Sequence, residues 1–206
     1  MRMRRKRNGA QRLLNCSDYM LSEPPYNKGE NEKLMIEIGC GKGAFMLALA
    51  AREPDTTFVA IEKVPDVILL AAEKIKASEL PNVKLLNADA GTLSEWFSAG
   101  SVDRIYLNFS DPWPRPKHAK RRLTAPAYLE LYKKLLSPDG AIFLKTDNRI
   151  LFDYSLETFA EAGFRLEKLT YDLHNSEYEE GNIHTEYEDN FSAKGFTINR
   201  VEAYVK

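Results

Sequence analysis

Cysteine is nearly absent. Cys16 and Cys40 are the only two in 206 residues, too few for a disulfide framework, so a reduced, cytoplasmic protein is expected. Histidine is almost as rare: His118, His174 and His184 show no metal-ligand spacing with one another or with Cys40, and no metal is expected. No apolar run approaches the ~20 residues needed to span a bilayer. No apolar segment with a small-residue cleavage site follows the basic first residues, so neither membrane association nor a signal peptide is expected. Internal repeats and low-complexity tracts are missing. Net charge is nearly missing too, at −1. What is present is a chain 44% hydrophobic, long enough for one domain with a sizeable core and expected as a monomer or a homodimer.

The near-neutral total hides strong patterning. Arg2, Arg4, Arg5, Lys6, Arg7 and Arg12 crowd the start without an acid, and Arg115, Lys117, Lys120, Arg121 and Arg122 do the same further on, with His118 among them. The balance lies between Asp172 and Asp189, where seven acids stand without a Lys or Arg. Two separated cationic segments point to a polyanionic partner met by a local patch. The acidic stretch would repel such a partner and is expected as a solvated loop or a gate.

Residues 1–33 are polar and irregular, with turn chemistry at Glu23-Pro24-Pro25-Tyr26-Asn27 and Lys28-Gly29, and read as a basic N-terminal arm before a domain over 34–206. Short apolar strands are expected at Leu34–Ile38, Thr57–Glu62, Val83–Asn87, Val102–Leu107 and Ala141–Thr146. Helices alternate with them at Ala44–Arg52, Pro65–Ser78, Ala125–Leu136 and Ile150–Ala162, with a turn at Ser137-Pro138-Asp139-Gly140. Two late strands, near Phe164–Asp172 and Phe196–Val205, flank the acidic stretch. Strands alternating with helices imply βαβ units and a parallel sheet, whose ligands sit beyond the carboxyl ends of the strands. Glu37, Glu62, Asp89, Asp111 and Asp147 all fall at such ends.

Gly39-x-Gly41-x-Gly43 after the first strand allows a tight turn and close backbone approach to a ligand. Glu62 follows Gly43 by 19 residues, where a carboxylate can take both hydroxyls of a ribose, so an adenosine-type cofactor is expected. The dinucleotide fingerprint is G-x-G-x-x-G; here the spacing differs and Glu37 precedes it, where its charge would repel a pyrophosphate. The same charge suits the sulfonium and α-ammonium of S-adenosylmethionine. Asp89 is placed for the adenine amino group.

Asn108-Phe109-Ser110-Asp111-Pro112-Trp113-Pro114 follows the fourth strand. Three prolines between Asp111 and Pro116 stiffen it. It resembles the loops with which methyltransferases grip a nucleobase. The indole of Trp113 can stack on any base, worth ~1–3 kcal/mol, while the carboxylate of Asp111 can accept from guanine's N1–H and N2 amine.

From the first strand onward the chain closely resembles the bacterial tRNA (guanine-N7-)-methyltransferases of the TrmB type. The matching pieces are Glu37 to Gly43, Ile61-Glu62, Asn108 to Pro114, Lys120-Arg121-Arg122-Leu123, Lys145-Thr146-Asp147-Asn148 and Thr185-Glu186-Tyr187-Glu188. The resemblance implies a Rossmann-like class I fold: a mostly parallel seven-stranded sheet with an antiparallel C-terminal strand and helices on both faces. It implies methyl transfer from S-adenosylmethionine to N7 of a guanosine at position 46, in the variable loop of tRNA. Glu37, Gly39, Gly41, Gly43, Glu62, Asp89 and Asp111 would then bind the cofactor, with Asp111 also catalytic. Trp113, Arg115, Asp147, Thr185, Glu186, Tyr187 and Glu188 would bind substrate, and Lys117, Lys120, Arg121 and Arg122 phosphates. Arg115 stands where the family usually has lysine. The rivals are a methyltransferase for adenine's exocyclic amine and a catalytically silent RNA-binding scaffold. A nicotinamide dehydrogenase ranks behind both, because no Tyr-Lys or His-Asp pair is placed for hydride transfer.

Overall fold

The computed structural model describes residues 6–30 and 32–205; Arg2, Arg4 and Arg5 of the first basic segment lie outside them. The chain forms two compact units, one ending at Ser98 and the other beginning at Ala99.

The first unit is built on three parallel strands, β1 (Lys33–Ile38), β2 (Thr56–Ile61) and β3 (Val83–Leu86), in the order β3-β2-β1. Leu34 to Ile38 are buried without alternation, the pattern of a parallel strand covered on both faces. Helices α2 (Ala44–Arg52) and α3 (Pro65–Ser78) connect them, and α4 (Leu93–Trp96) follows β3. Pro65 starts α3, where its missing N–H costs nothing, and Glu79 ends it at φ 56°.

The segment expected as an irregular arm carries its own helix, α1 (Gly9–Leu14), which packs on α3. Arg12 grips Glu73 with both ends of its guanidinium at 2.7 Å. The Leu21 N–H donates to the Leu85 carbonyl at 2.8 Å, and that of Tyr26 to the Trp96 carbonyl at 2.7 Å. Arg12 is therefore an ion-pair partner inside the unit, and only part of the first basic run remains for outside contacts.

The second unit holds β4 (Val102–Asn108), β5 (Leu136–Thr146), β6 (Arg165–Thr170) and β7 (Asn199–Tyr204) in the order β4-β5-β7-β6. β4 and β5 run parallel, and β7 is antiparallel to both its neighbours. The turn expected at Ser137 to Gly140 lies inside β5. Val102 pairs with Leu136 and Arg104 with Ala141, so those four residues loop out as an irregularity while the strand resumes its register. Helices α5 (Pro126–Leu135) and α6 (Arg149–Glu161) carry the apolar faces expected of them, Leu129, Tyr132 and Leu135 on one and Leu151, Phe152 and Phe159 on the other. Burying each such side chain contributes roughly 1.5–3 kcal/mol.

The stretch expected as a solvated acidic loop contains a helix, α7 (Glu186–Ser192). Thr185 caps it: its hydroxyl accepts from the Glu188 N–H at 2.9 Å, and the Glu188 carboxylate reaches back to the Thr185 N–H. Thr-x-x-Glu is a capping box, a signal legible in the sequence and overlooked because the run has no apolar periodicity. The far end of α7 closes on Gly195 at φ +84°, with the Phe196 N–H on the Phe191 carbonyl and the Gly195 N–H on that of Ser192. Two crossed bonds with an apolar contact between their flanking residues form a Schellman cap.

Candidate active site

In the first unit, the expected cofactor residues stand at the carboxyl ends of neighbouring strands. Glu37, next to last in β1, is almost fully buried, at 3% exposure. The turn after it is pinned to β2: the N–H groups of Gly39 and Cys40 both donate to the Ile61 carbonyl, at 2.8 and 3.0 Å. Gly39, Gly41 and Gly43 have φ of +82°, +56° and +73°, which L side chains rarely adopt. Their surroundings differ. A Cβ on Gly39 or Gly41 would meet nothing within 4 Å, whereas one on Gly43 would lie 3.1 Å from the Ala71 Cβ of α3. The first two glycines thus line an open cradle, and the third permits helix packing.

Glu62 lies just past β2, one carboxylate oxygen held by the Val64 N–H at 2.9 Å. Asp89 lies past β3, one oxygen on the Gly91 N–H at 2.9 Å. Each has a second oxygen for a ligand. Burial pushes the Cys40 thiol well above its ordinary value, and the charges of Glu37 and Glu62 push the same way. The turn therefore sits in a negative field. An open glycine cradle beside the buried Glu37, the half-buried Glu62 and the exposed Asp89 fits a cationic adenosine compound better than a pyrophosphate.

In the second unit, Asp111 and Asp147 follow the adjacent parallel strands β4 and β5, which pair up to Asn108 and Lys145. Phe109 and Trp113 bracket Asp111, both with positive φ, 53° and 41°, a conformation uncommon in residues with bulky side chains and found mostly where the surroundings enforce it. At Trp113, Arg122 enforces it. Its Nε donates to the Pro112 carbonyl at 3.0 Å and its Nη2 to that of Trp113 at 3.2 Å, while the guanidinium lies over the Tyr154 ring at 4.2 Å. Arg122 is 6% exposed. The expectation that it holds a phosphate is corrected: its donors face the loop's own carbonyls.

The other cations of the run behave differently. Pro116–Arg121 is a 3₁₀ helix, in which residues three apart eclipse. His118 and Arg121 share one side and both meet Trp113, the imidazole edge-on at 5.7 Å between centroids and the guanidinium 4.9 Å from the indole centroid. Lys117 and Lys120 share another side and are exposed, as is Arg115. Trp113 remains part-exposed with an imidazole and a guanidinium already against its ring.

Glu188 was expected to touch substrate, and here too the structure differs. Its side chain is 0% exposed. One oxygen pairs with Lys145 Nζ at 2.6 Å; the other meets His174 Nε2 at 3.0 Å and Asn182 Nδ2 at 2.9 Å. Burial alone would raise this carboxyl, but Lys145, Asn182 and His174 outweigh burial and hold it below its ordinary value. Lys145 also donates to Asn182 Oδ1 and the Ile183 carbonyl, at 3.0 and 2.9 Å. The network fixes the Thr185–Glu188 segment to the end of β5. Its neighbour Tyr187 is consequently set against Asp147: burial, then the charge of that carboxylate and a hydrogen bond to it, raise the phenol above its ordinary value. Glu186 and Tyr187 are exposed and Thr185 part-exposed.

Sequence spacing gave no reason to join His174 and His184. The fold stacks their rings at 4.8 Å between centroids, and one ligand atom from each, with one from Glu179, lies within 4.8 Å of the others. Hydrogen bonds fill the cluster: His184 meets Asp189 through Nδ1 and Glu179 through Nε2, both at 2.7 Å. Among the described residues no helix is long and apolar enough to cross a membrane.

Strand-end carboxylates around a glycine turn, seven strands with β7 antiparallel, and a rigid Asp-Pro-Trp-Pro loop define a class I methyltransferase. The family model described as "Putative methyltransferase" matches residues 31–201. Solved structures share the fold: an antibiotic-related methyltransferase at TM-score 0.65 and 18% identity, covering 84% of this chain and 88% of that one, and a SAM-dependent methyltransferase from Aquifex aeolicus at 0.59 and 14%, covering 97% and 90%. Among curated proteins, the tRNA (guanine-N(7)-)-methyltransferase of Bacillus licheniformis is 48% identical over 98% of both chains. That of Streptococcus pyogenes serotype M1 is 45% identical over 98% of this chain and 99% of its own. The chain belongs to the tRNA (guanine-N(7)-)-methyltransferase family.

Proposed function

We propose that the protein transfers a methyl group from S-adenosylmethionine to N7 of a guanosine in tRNA, at position 46 of the variable loop, and that it works in the cytoplasm. The observation that carries this is the 48% identity, over 98% of both chains, to a tRNA (guanine-N(7)-)-methyltransferase. S-adenosylmethionine, when bound, supplies an electrophilic methyl group on a sulfonium. Glu37 and the cradle of Gly39 and Gly41 would hold its cationic amino-acid end, Glu62 the ribose hydroxyls and Asp89 the adenine amine, with Gly43 shaping the turn.

Guanine N7 carries an in-plane lone pair and no proton, so no general base is needed to expose the nucleophile. The protein's task is alignment, which can supply several kcal/mol, and stabilisation of the positive charge that builds on the purine. The Asp111 carboxylate on the N1–H and N2 edge does both, since methylation acidifies N1 and strengthens that bond in the transition state. Arg122 and the prolines hold Asp111 still. The target base leaves its stack to reach the pocket, while Arg115, Lys117, Lys120 and Arg121 meet phosphates.

Methyl transfer from labelled S-adenosylmethionine to an unmodified tRNA transcript, beside one made with 7-deazaguanosine, tests the assignment. Incorporation into the first alone supports N7. Equal incorporation removes N7 and favours an exocyclic amine; none in either points to a silent scaffold. Asp111→Asn with near-full turnover would overturn the role given to Asp111.

A further inference from the structure

Four aromatic side chains run outward from the loop that carries Asp111. Phe109, two residues before Asp111, lies 5.0 Å from Tyr187 between ring centroids; Tyr187 stacks on Phe191 at 4.1 Å with an interplanar angle of 12°, and Phe191 meets Phe196 at 5.5 Å. The inner end is fixed. The Phe109 N–H donates to the Lys145 carbonyl at 2.8 Å, and the Tyr187 phenol is bonded to Asp147. The outer end is open: Tyr187 is 41% exposed and Phe196 51%. Lys194 places its ammonium 4.8 Å from the Phe191 centroid.

Single exposed apolar residues are ordinary. These differ because their rings continue one another and start at the reacting loop. The exposed Phe196 ring, tilted at 59° to Phe191, with the Lys194 ammonium over that neighbouring ring, suits a nucleobase and its phosphate, and such stacking tolerates any base. A strand that gives up one base to the pocket has its neighbouring base unstacked on that side.

We propose that Phe196, backed by Phe191 and Tyr187, receives the nucleobase adjacent to the target guanosine, with Lys194 on that nucleotide's phosphate. The proposal rests on the tRNA assignment above. Phe196 also supplies the apolar contact of the cap on α7, so the test must separate ring from bulk. Phe196→Leu keeps the contact and removes the aromatic face; Phe196→Tyr keeps both.

The tRNA carries 2-aminopurine at the nucleotide 5′ or 3′ of the methylated guanosine, and fluorescence and methylation are both followed. The expected result is quenching of one of the two probes by the wild-type protein and by Phe196→Tyr. Phe196→Leu should lose that quenching and raise the KM for tRNA roughly five- to tenfold, with thermal stability unchanged. If Phe196→Leu methylates with wild-type KM, or neither probe is quenched by an active wild-type enzyme, the platform is overturned while the methyltransferase assignment stands. A wild-type protein that methylates no tRNA overturns the assignment itself.

Discussion

Lys145 and Glu188 form a buried ion pair, Nζ to Oε2 at 2.6 Å, that joins the end of β5 to the cap of α7. Removing one partner leaves the other buried and charged, which typically costs about 3–5 kcal/mol. Glu188→Ala and Lys145→Met should each lose about that much in denaturant unfolding. The double variant Lys145→Met/Glu188→Leu should lose much less than the sum, with a coupling of about 1–3 kcal/mol. Strict additivity would mean the pair does not hold the segment.

Arg122 holds a loop, whereas the role proposed for its neighbours is to meet phosphates, so the two should separate in the salt dependence. Lys120→Gln should reduce the slope of log affinity for tRNA against log salt by about one. Arg122→Gln should leave that slope unchanged and lower kcat roughly tenfold or more, because small misplacements of a catalytic group cost that much. A reduced slope for Arg122→Gln would return it to the phosphate contacts.

Gly39 and Gly43 share a positive φ but not surroundings. Alanine in either should cost ~1–2 kcal/mol for left-handed φ, a few degrees in melting temperature for a chain of this size. Gly43→Ala should melt lower still, because its Cβ meets Ala71 at 3.1 Å. Gly39→Ala should instead weaken S-adenosylhomocysteine binding by roughly tenfold, ~1.4 kcal/mol, in isothermal titration. Equal effects of the two on binding would argue against the cradle.

For His184, burial works to lower the pKa, but hydrogen bonds to Glu179 and Asp189 and the charges of Glu188 and Glu179 outweigh it and raise the imidazole above 6.5. Stacked His174, itself on Glu188, is the other titratable neighbour. A raised folded pKa means that the stabilisation is complete below the unfolded value, near 6.5, and is lost as pH climbs through the higher folded value. Melting temperature followed from pH 6 to 9 should therefore fall more for the wild type than for His184→Gln. Parallel curves would leave the His184 cluster without a protonated imidazole.

The alternation of strands and helices was legible because parallel strands are continuous apolar runs and their connecting helices carry a periodic face. So were Glu37, Glu62, Asp89, Asp111 and Asp147 as strand-end carboxylates, since topology alone places them there. Glu188 and Arg122 were not. A carboxylate in an acidic stretch and a guanidinium in a basic run both look solvated, and only the fold reveals Lys145 beneath one and the carbonyls of Pro112 and Trp113 beside the other. His174 and His184 meet through folding of the 172–189 stretch, which spacing does not encode. Helix α7 was available from Thr185 and Glu188 as a capping box, but its acidic composition hid it.

The three-residue pitch of the helix over Pro116–Arg121 makes its cations positional. Exchanging Ala119 with Lys120 would keep composition, net charge and every residue type, yet it would move an ammonium by a third of a turn, away from the side shared with Lys117. Inserting a single residue before Arg122 would rotate the fork off the loop carbonyls. For this stretch the order of residues, rather than the amount of positive charge, is the heritable quantity, and a mutational scan should find permutations as harmful as neutralisations.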